Sequence, residues 1–163
     1  MKRPAHAGRH FYGFMNYHGF GRKLHHDVPH WVPIDAIFHI SIRCCDSNKI
    51  PLTSPSVAAP LLDSVKNYEE KHNWFVNLWL LMPDHLHALV SFPLEKKMGD
   101  VIGDWKRFQT RKHGIIWQDG FFDHRIRKYE DLEKANGYIQ NNPVIKGLCK
   151  AARDWPLVYS RVG

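Results

Sequence analysis

No run of 18 or more apolar residues occurs in this 163-residue chain, so the sequence offers no membrane-spanning helix. Cysteine is scarce. Cys44 and Cys45 are adjacent, Cys149 stands alone and no Cys-x-x-Cys is present, which excludes a disulfide framework. Met1-Lys2-Arg3-Pro4-Ala5-His6-Ala7-Gly8 lacks a signal-peptide pattern, and with three thiols read as structural it predicts a reducing, bacterial-type cytoplasm. No internal repeat or low-complexity linker divides the chain. With 44% hydrophobic residues, six Trp and nine Phe, a disordered polypeptide is excluded and one domain has enough to build a core. Acidic residues are in the minority, 16 against 23 Lys and Arg, and the net charge of +7 points to a polyanionic partner, nucleic acid first.

The first 30 residues follow no sustained period and read as an irregular arm, with His25, His26 and His30 in a solvated tail interrupted by Pro29. Residues 31–163 read as a single domain. Ile and Phe nearly alternate across 36–43, as in a half-buried strand. Val57, Leu61, Leu62, Val65 and Tyr68 recur at helical spacing, and Pro55 and Pro60 bound the start of that helix. A strand over 74–81, the turn Met82-Pro83-Asp84 and a further strand then form an antiparallel pair. Met98, Val101, Ile102, Trp105 and Phe108 mark a second helix, with Gly114 as its stop. A short strand over 120–127 leads into a last helix, expected to end at Pro143. Strand, helix, strand, strand, helix, strand, helix describes an α+β fold. It is a ferredoxin-like sandwich with a central antiparallel sheet and an added C-terminal, tyrosine-bearing helix.

Two features of this pattern carry chemistry. His85 and His87 are two apart in a strand, so both rings leave one face, and two Cα atoms roughly 7 Å apart let them lean onto one metal ion. Tyr138 and Asn142, four apart, share one helical face while Leu132, Ala135 and Ile139 can face the sheet. If that face looks at the histidines, Asn142 can supply a third ligand and Tyr138 a nucleophile. On the second helix, Lys106, Arg107, Arg111 and Lys112 lie away from the apolar side and read as a phosphate-contacting face. Trp105, Trp117 and Trp155 read as packing residues.

The motifs Met82-Pro83-Asp84-His85-Leu86-His87, Trp117-Gln118-x-Gly120-Phe121-x-Asp123-His124-x-Ile126-Arg127, Tyr138-Ile139-x-x-Asn142-Pro143-Val144 and Asp154-Trp155-Pro156-x-x-x-Ser160 stand in order and in register. Together they resemble the single-tyrosine HUH transposases of bacterial insertion sequences, and more closely their REP-associated relatives. The resemblance covers about residues 31–160. It implies metal-dependent nicking and strand transfer on single-stranded or hairpin DNA through a covalent 5′-phosphotyrosine. His85 and His87 would be the metal-binding pair, Asn142 a third ligand and Tyr138 the attacking residue, with Mg²⁺ or Mn²⁺ in use by a monomer or homodimer. The competing reading is a catalytically silent protein that binds DNA hairpins on the same fold. A small-substrate metallohydrolase ranks below both, since Leu89 and Val90 stand where a two-metal site needs Asp-His.

Overall fold

The computed structural model describes residues 36–161; the arm read over residues 1–30, the histidines in it, and residues 31–35 lie outside the described residues. Its strands are β1 (Ile37–Arg43), β2 (Phe75–Leu81), β3 (His85–Ser91), β4 (Phe122–Ile126) and β5 (Val158–Ser160), and its helices α1 (Pro55–Glu70), α2 (Met98–His113) and α3 (Tyr129–Ile145). The strands form one antiparallel sheet in the order β4-β1-β3-β2-β5. Its first four members have the ferredoxin-like arrangement, and β5 extends the edge at β2. That extension was not legible in the sequence.

The alternation of β1 explains the two faces of the sheet. Phe38, Ile40 and Ile42 are buried on one side, while Ile37, His39 and Ser41 point to the other. A right-handed crossover between parallel strands carries α1 and α2 to the same face. There Val57, Leu61 and Val65 of α1 and Met98, Val101, Ile102 and Trp105 of α2 close a core with Ile40, Ile42, Trp79, Leu86 and Ala88. The opposite face packs Leu78, Leu80 and Leu89 against Leu132, Ala135 and Ile139 of α3. Strand β3 is therefore covered on both sides and all seven of its residues are buried, the two histidines included. An irregularity between Val76 and Leu78 leaves Asn77 exposed and restores the alternation needed for β2 to serve both cores.

The larger core is built around indoles. Trp105 is fully buried, with ring centroids 5.2 Å from Trp79, 6.0 Å from Trp74 and 5.7 Å from Trp117, and its Nε1 donates to Ser64 Oγ at 3.0 Å. Trp105→Ala is expected to cost about 3–5 kcal/mol, read as a lowered urea midpoint. A cost under about 1 kcal/mol would mean that the indole cluster is not the keystone of this face. Trp117 is buried too, and Trp155 packs on the smaller core with Nε1 donating to Leu81 O at 3.0 Å, as expected of packing residues.

One boundary departs from expectation. Helix α3 runs through Pro143 to Ile145, whereas the proline was expected to end it. Proline removes one N–H bond and disfavours helical backbone just before it, but little helix remains to be disrupted so near the C-terminus. Tertiary contacts decide the matter: Asn142 and Pro143 are both buried, and Lys146 N–H and Leu148 N–H donate to Asn142 O and Pro143 O at 3.0 and 2.8 Å. At α2 the expected stop is found. Gly114 adopts φ +70°, a conformation that favours glycine, and its N–H closes the last turn on Thr110 O.

Candidate active site

Strand β3 presents His85 and His87 to the face covered by α3, and their Nε2 atoms stand 3.2 Å apart. Two nitrogens held about 2.0–2.1 Å from a shared tetrahedral ion are about 3.3–3.4 Å apart, so the pair is already spaced as two ligands. The Asn142 amide from α3 lies 3.5 Å from His87 Nε2 by its nitrogen. A half-turn of the amide would put its oxygen, the amide atom able to bind a cation, in that place. Tyr138 is half-exposed, with its ring 5.9 Å from that of His87 and 6.4 Å from that of His39, edge-on to both. Thus the four residues singled out in the sequence come together at one rim of the sheet. Ile139, fully buried between Tyr138 and Asn142 in sequence, anchors the helix that presents them.

Burial sets the electrostatics. It pushes the His87 ring down to about 3, assisted by the neighbouring His85, His39 and Arg43, and the His39 ring down to about 4, assisted by His124. Burial lowers His85 as well, against the opposing pull of the Asp84 carboxylate. The rings are therefore neutral bases at physiological pH, the form that ligates metal. His85 Nδ1 and Asp84 Oδ1 are 2.6 Å apart, so the ring donates to the carboxylate and keeps the Nε2 lone pair toward His87. Burial alone would raise the Asp84 carboxyl, but the His85 hydrogen bond and charge outweigh it and hold it below its usual value. Arg43 Nη1 lies 3.7 Å from the other Asp84 oxygen, and the charges of Arg43 and Lys146 reach His85.

Sequence reasoning missed His39. It sits on β1, two residues from the Ser41 that pairs with His87, and its Nε2 lies 3.2 Å from His87 Nδ1. The available signal was parity: Ile37, His39 and Ser41 form the face of β1 opposite its apolar one. On β4, His124 pairs directly with His39 and so lies on the site face, whereas Arg125 pairs with Phe38 and lies on the other. Phe122, half-exposed, brings its ring 5.9 Å from that of His39.

The basic residues of α2 are elsewhere. That helix covers the sheet face opposite the histidines. Lys106 donates to Gln118 O and Gly120 O at 2.8 and 2.7 Å, tying down the approach to β4, and Arg107 pairs with Asp104. Arg111 and Lys112 are exposed in the last turn.

No group of three His, Cys, Asp or Glu side chains is arranged to hold a metal among the described residues; what lies together at this rim is two imidazoles and an amide. Such a set fits a divalent ion whose remaining positions go to phosphate oxygens and water. The family model described as Transposase IS200 like matches residues 34–142, and the chain belongs to that family. The REP-associated tyrosine transposase of Escherichia coli (strain K12) is 33% identical over 86 residues, covering 50% of this chain and 51% of that protein. A relative from Haemophilus influenzae is 28% identical over 93 residues, 47% of this chain and 53% of its own length. The chain thus spans about half the length of these curated relatives. A solved REP-associated tyrosine transposase bound to a REP hairpin shares the fold, with a TM-score of 0.67 and 22% identity over 81% of each chain. No helix among the described residues is long and apolar enough to cross a membrane.

Proposed function

We propose that this chain nicks and rejoins single-stranded DNA carrying a REP-type hairpin, with Tyr138 as nucleophile and His85, His87 and Asn142 as the holders of Mg²⁺ or Mn²⁺. The carrying observation is the 3.2 Å spacing of the two Nε2 atoms beside the exposed Tyr138 ring. His85, His87 and Asn142 would hold the ion, and the chemistry it would supply is Lewis-acid withdrawal of charge from the phosphodiester.

Tyr138 attacks phosphorus through its hydroxyl oxygen, and the bond from phosphorus to the 3′ oxygen breaks. The phenolic proton passes to solvent or a basic neighbour, and the departing 3′ oxygen takes up a proton. The products are a 5′-phosphotyrosine and a free 3′-hydroxyl, and the attack of another 3′-hydroxyl reverses the step at a new junction. Bond energy is conserved in the ester, so no nucleotide cofactor is consumed. Lys134, one turn before Tyr138, is exposed and sits 3.9 Å from Asp131.

Hairpin DNA is the substrate favoured by family membership, by the net charge of +7 and by the hairpin held by the structural relative. Arg43 and Lys146, the cations whose charge reaches His85, would meet phosphates at the site. Arg111 and Lys112 on the far helix layer would meet the duplex stem, with Lys106 and Arg107 at the margin of that contact.

The test is an adduct. After incubation with a hairpin-bearing single strand and Mn²⁺, denatured protein is expected to gain the mass of the 5′-phosphorylated fragment, located on the peptide containing Tyr138 and absent when EDTA is included. Hairpin binding with no adduct would instead establish the catalytically silent reading.

A further inference from the structure

We infer that His39 is the positioning residue of this site, orienting His87 and able to take the hydrogen bond of its Nδ1 proton when Nε2 is freed to bind a cation; the inference rests on the metal-site reading above. A neutral imidazole has one N–H and one lone pair. For His87 Nε2 to ligate, its proton must reside on Nδ1, and a buried N–H without an acceptor is costly. The acceptor is at hand: His39 Nε2, 3.2 Å away. His85 obtains the same service from Asp84, 2.6 Å from its Nδ1. Each histidine ligand thus has its own orienting partner, one a carboxylate at the rim and the other a third imidazole on the neighbouring strand.

The choice of histidine has a physical reason. Without an ion, the facing Nε2 atoms of His85 and His87 need a proton between them. Asp84 fixes the proton of His85 on Nδ1, so the shared proton must belong to His87. His87 Nδ1 is then an acceptor, and His39 Nε2 must donate to it. With an ion bound, the roles in this contact reverse. Neutral imidazole can donate or accept at the same nitrogen by changing tautomer, whereas ammonium or guanidinium only donates and carboxylate only accepts. His39 also keeps its orientation through packing: its ring lies 5.3 Å from that of His87 and 5.9 Å from that of Phe122.

Mn²⁺ titration of the purified protein, followed by electron paramagnetic resonance, tests this with His39→Phe, His39→Gln and His87→Ala. Wild-type protein is expected to bind one Mn²⁺ that His87→Ala loses. His39→Phe should weaken that binding about 10–100-fold. His39→Gln, whose amide can donate or accept after a half-turn, should recover most of it. A merely structural His39 predicts the opposite order, because phenylalanine preserves ring packing and glutamine does not. Binding by His39→Phe within twofold of wild type, or glutamine no better than phenylalanine, overturns the inference. Mn²⁺ uptake indifferent to His87→Ala overturns the metal site itself and this inference with it. Thermal midpoints measured in EDTA separate the cases, since a variant that binds poorly only because it is unfolded is replaced by comparison of His39→Gln with His39→Asn, in which the shorter amide should be the weaker.

Discussion

Tyr138→Phe is expected to lower strand cleavage by about 10⁴-fold or more while hairpin affinity stays within about twofold of wild type. Only the hydroxyl is removed. The ring keeps its edge contacts with His39 and His87, and because the side chain is half-exposed no cavity opens. Folding stability should therefore change by less than about 0.5 kcal/mol. Single-turnover cleavage of an end-labelled hairpin strand, with filter binding of the same strand, separates chemistry from recognition. Tyr129 supplies the control. It is the other tyrosine of α3 and more exposed than Tyr138, but nine residues earlier it lies about 13 Å away along the axis. Tyr129→Phe should cleave as wild type does. Cleavage retained within tenfold in Tyr138→Phe removes that residue as nucleophile, and its loss in Tyr129→Phe would transfer the role there.

Much of this site was legible because its pieces are local. The His-x-His spacing needs only the two-residue period of a strand, and Tyr138 with Asn142 needs only the i,i+4 spacing of a helix. Leu132, Ala135 and Ile139 identified the side of α3 that would meet the sheet, and that side does. What escaped was set by partners far along the chain. His39 reads as an outward residue of an alternating strand until the pairing of Ser41 with His87 fixes the register and brings it diagonally beside the pair. The continuation of α3 through Pro143 depends on burial of Asn142 and Pro143, which a local rule about proline does not register. Strand β5 has three residues and exists only because the β2 edge pairs with it. The basic side of α2 reads in the sequence as a phosphate-contacting face, while which sheet face that helix covers follows from the crossover and not from its own composition.

Acidification should unfold this protein through its histidines before its carboxylates are titrated. In the unfolded chain a histidine has its ordinary value near 6.5, while burial holds His39 at about 4 and His87 at about 3, with His85 lowered in the same direction. Between those values the unfolded chain binds more protons than the native one, so stability rises with pH across the window. The native advantage is complete above about pH 6.5, erodes as pH falls through 5 and is spent near pH 3. The groups facing these rings favour this sign: His124 across from His39, Arg43 and His85 around His87, with the Asp84 carboxylate opposing it. Each depressed unit corresponds to about 1.4 kcal/mol, so the loss by pH 4.5 is on the order of several kcal/mol against a total of about 5–15 kcal/mol for a typical domain. Urea midpoints in EDTA at pH 7.5, 6.5, 5.5 and 4.5 should fall most steeply below 6.5. The double variant His39→Gln, His87→Gln should flatten that slope even where its stability at neutral pH is lower. A flat wild-type profile from 7 to 5 would mean that the folded protein tolerates charged rings. Those rings would then keep ordinary values near 6.5, and protons would compete with a cation between His85 and His87 from about that pH downward instead of only below about 4.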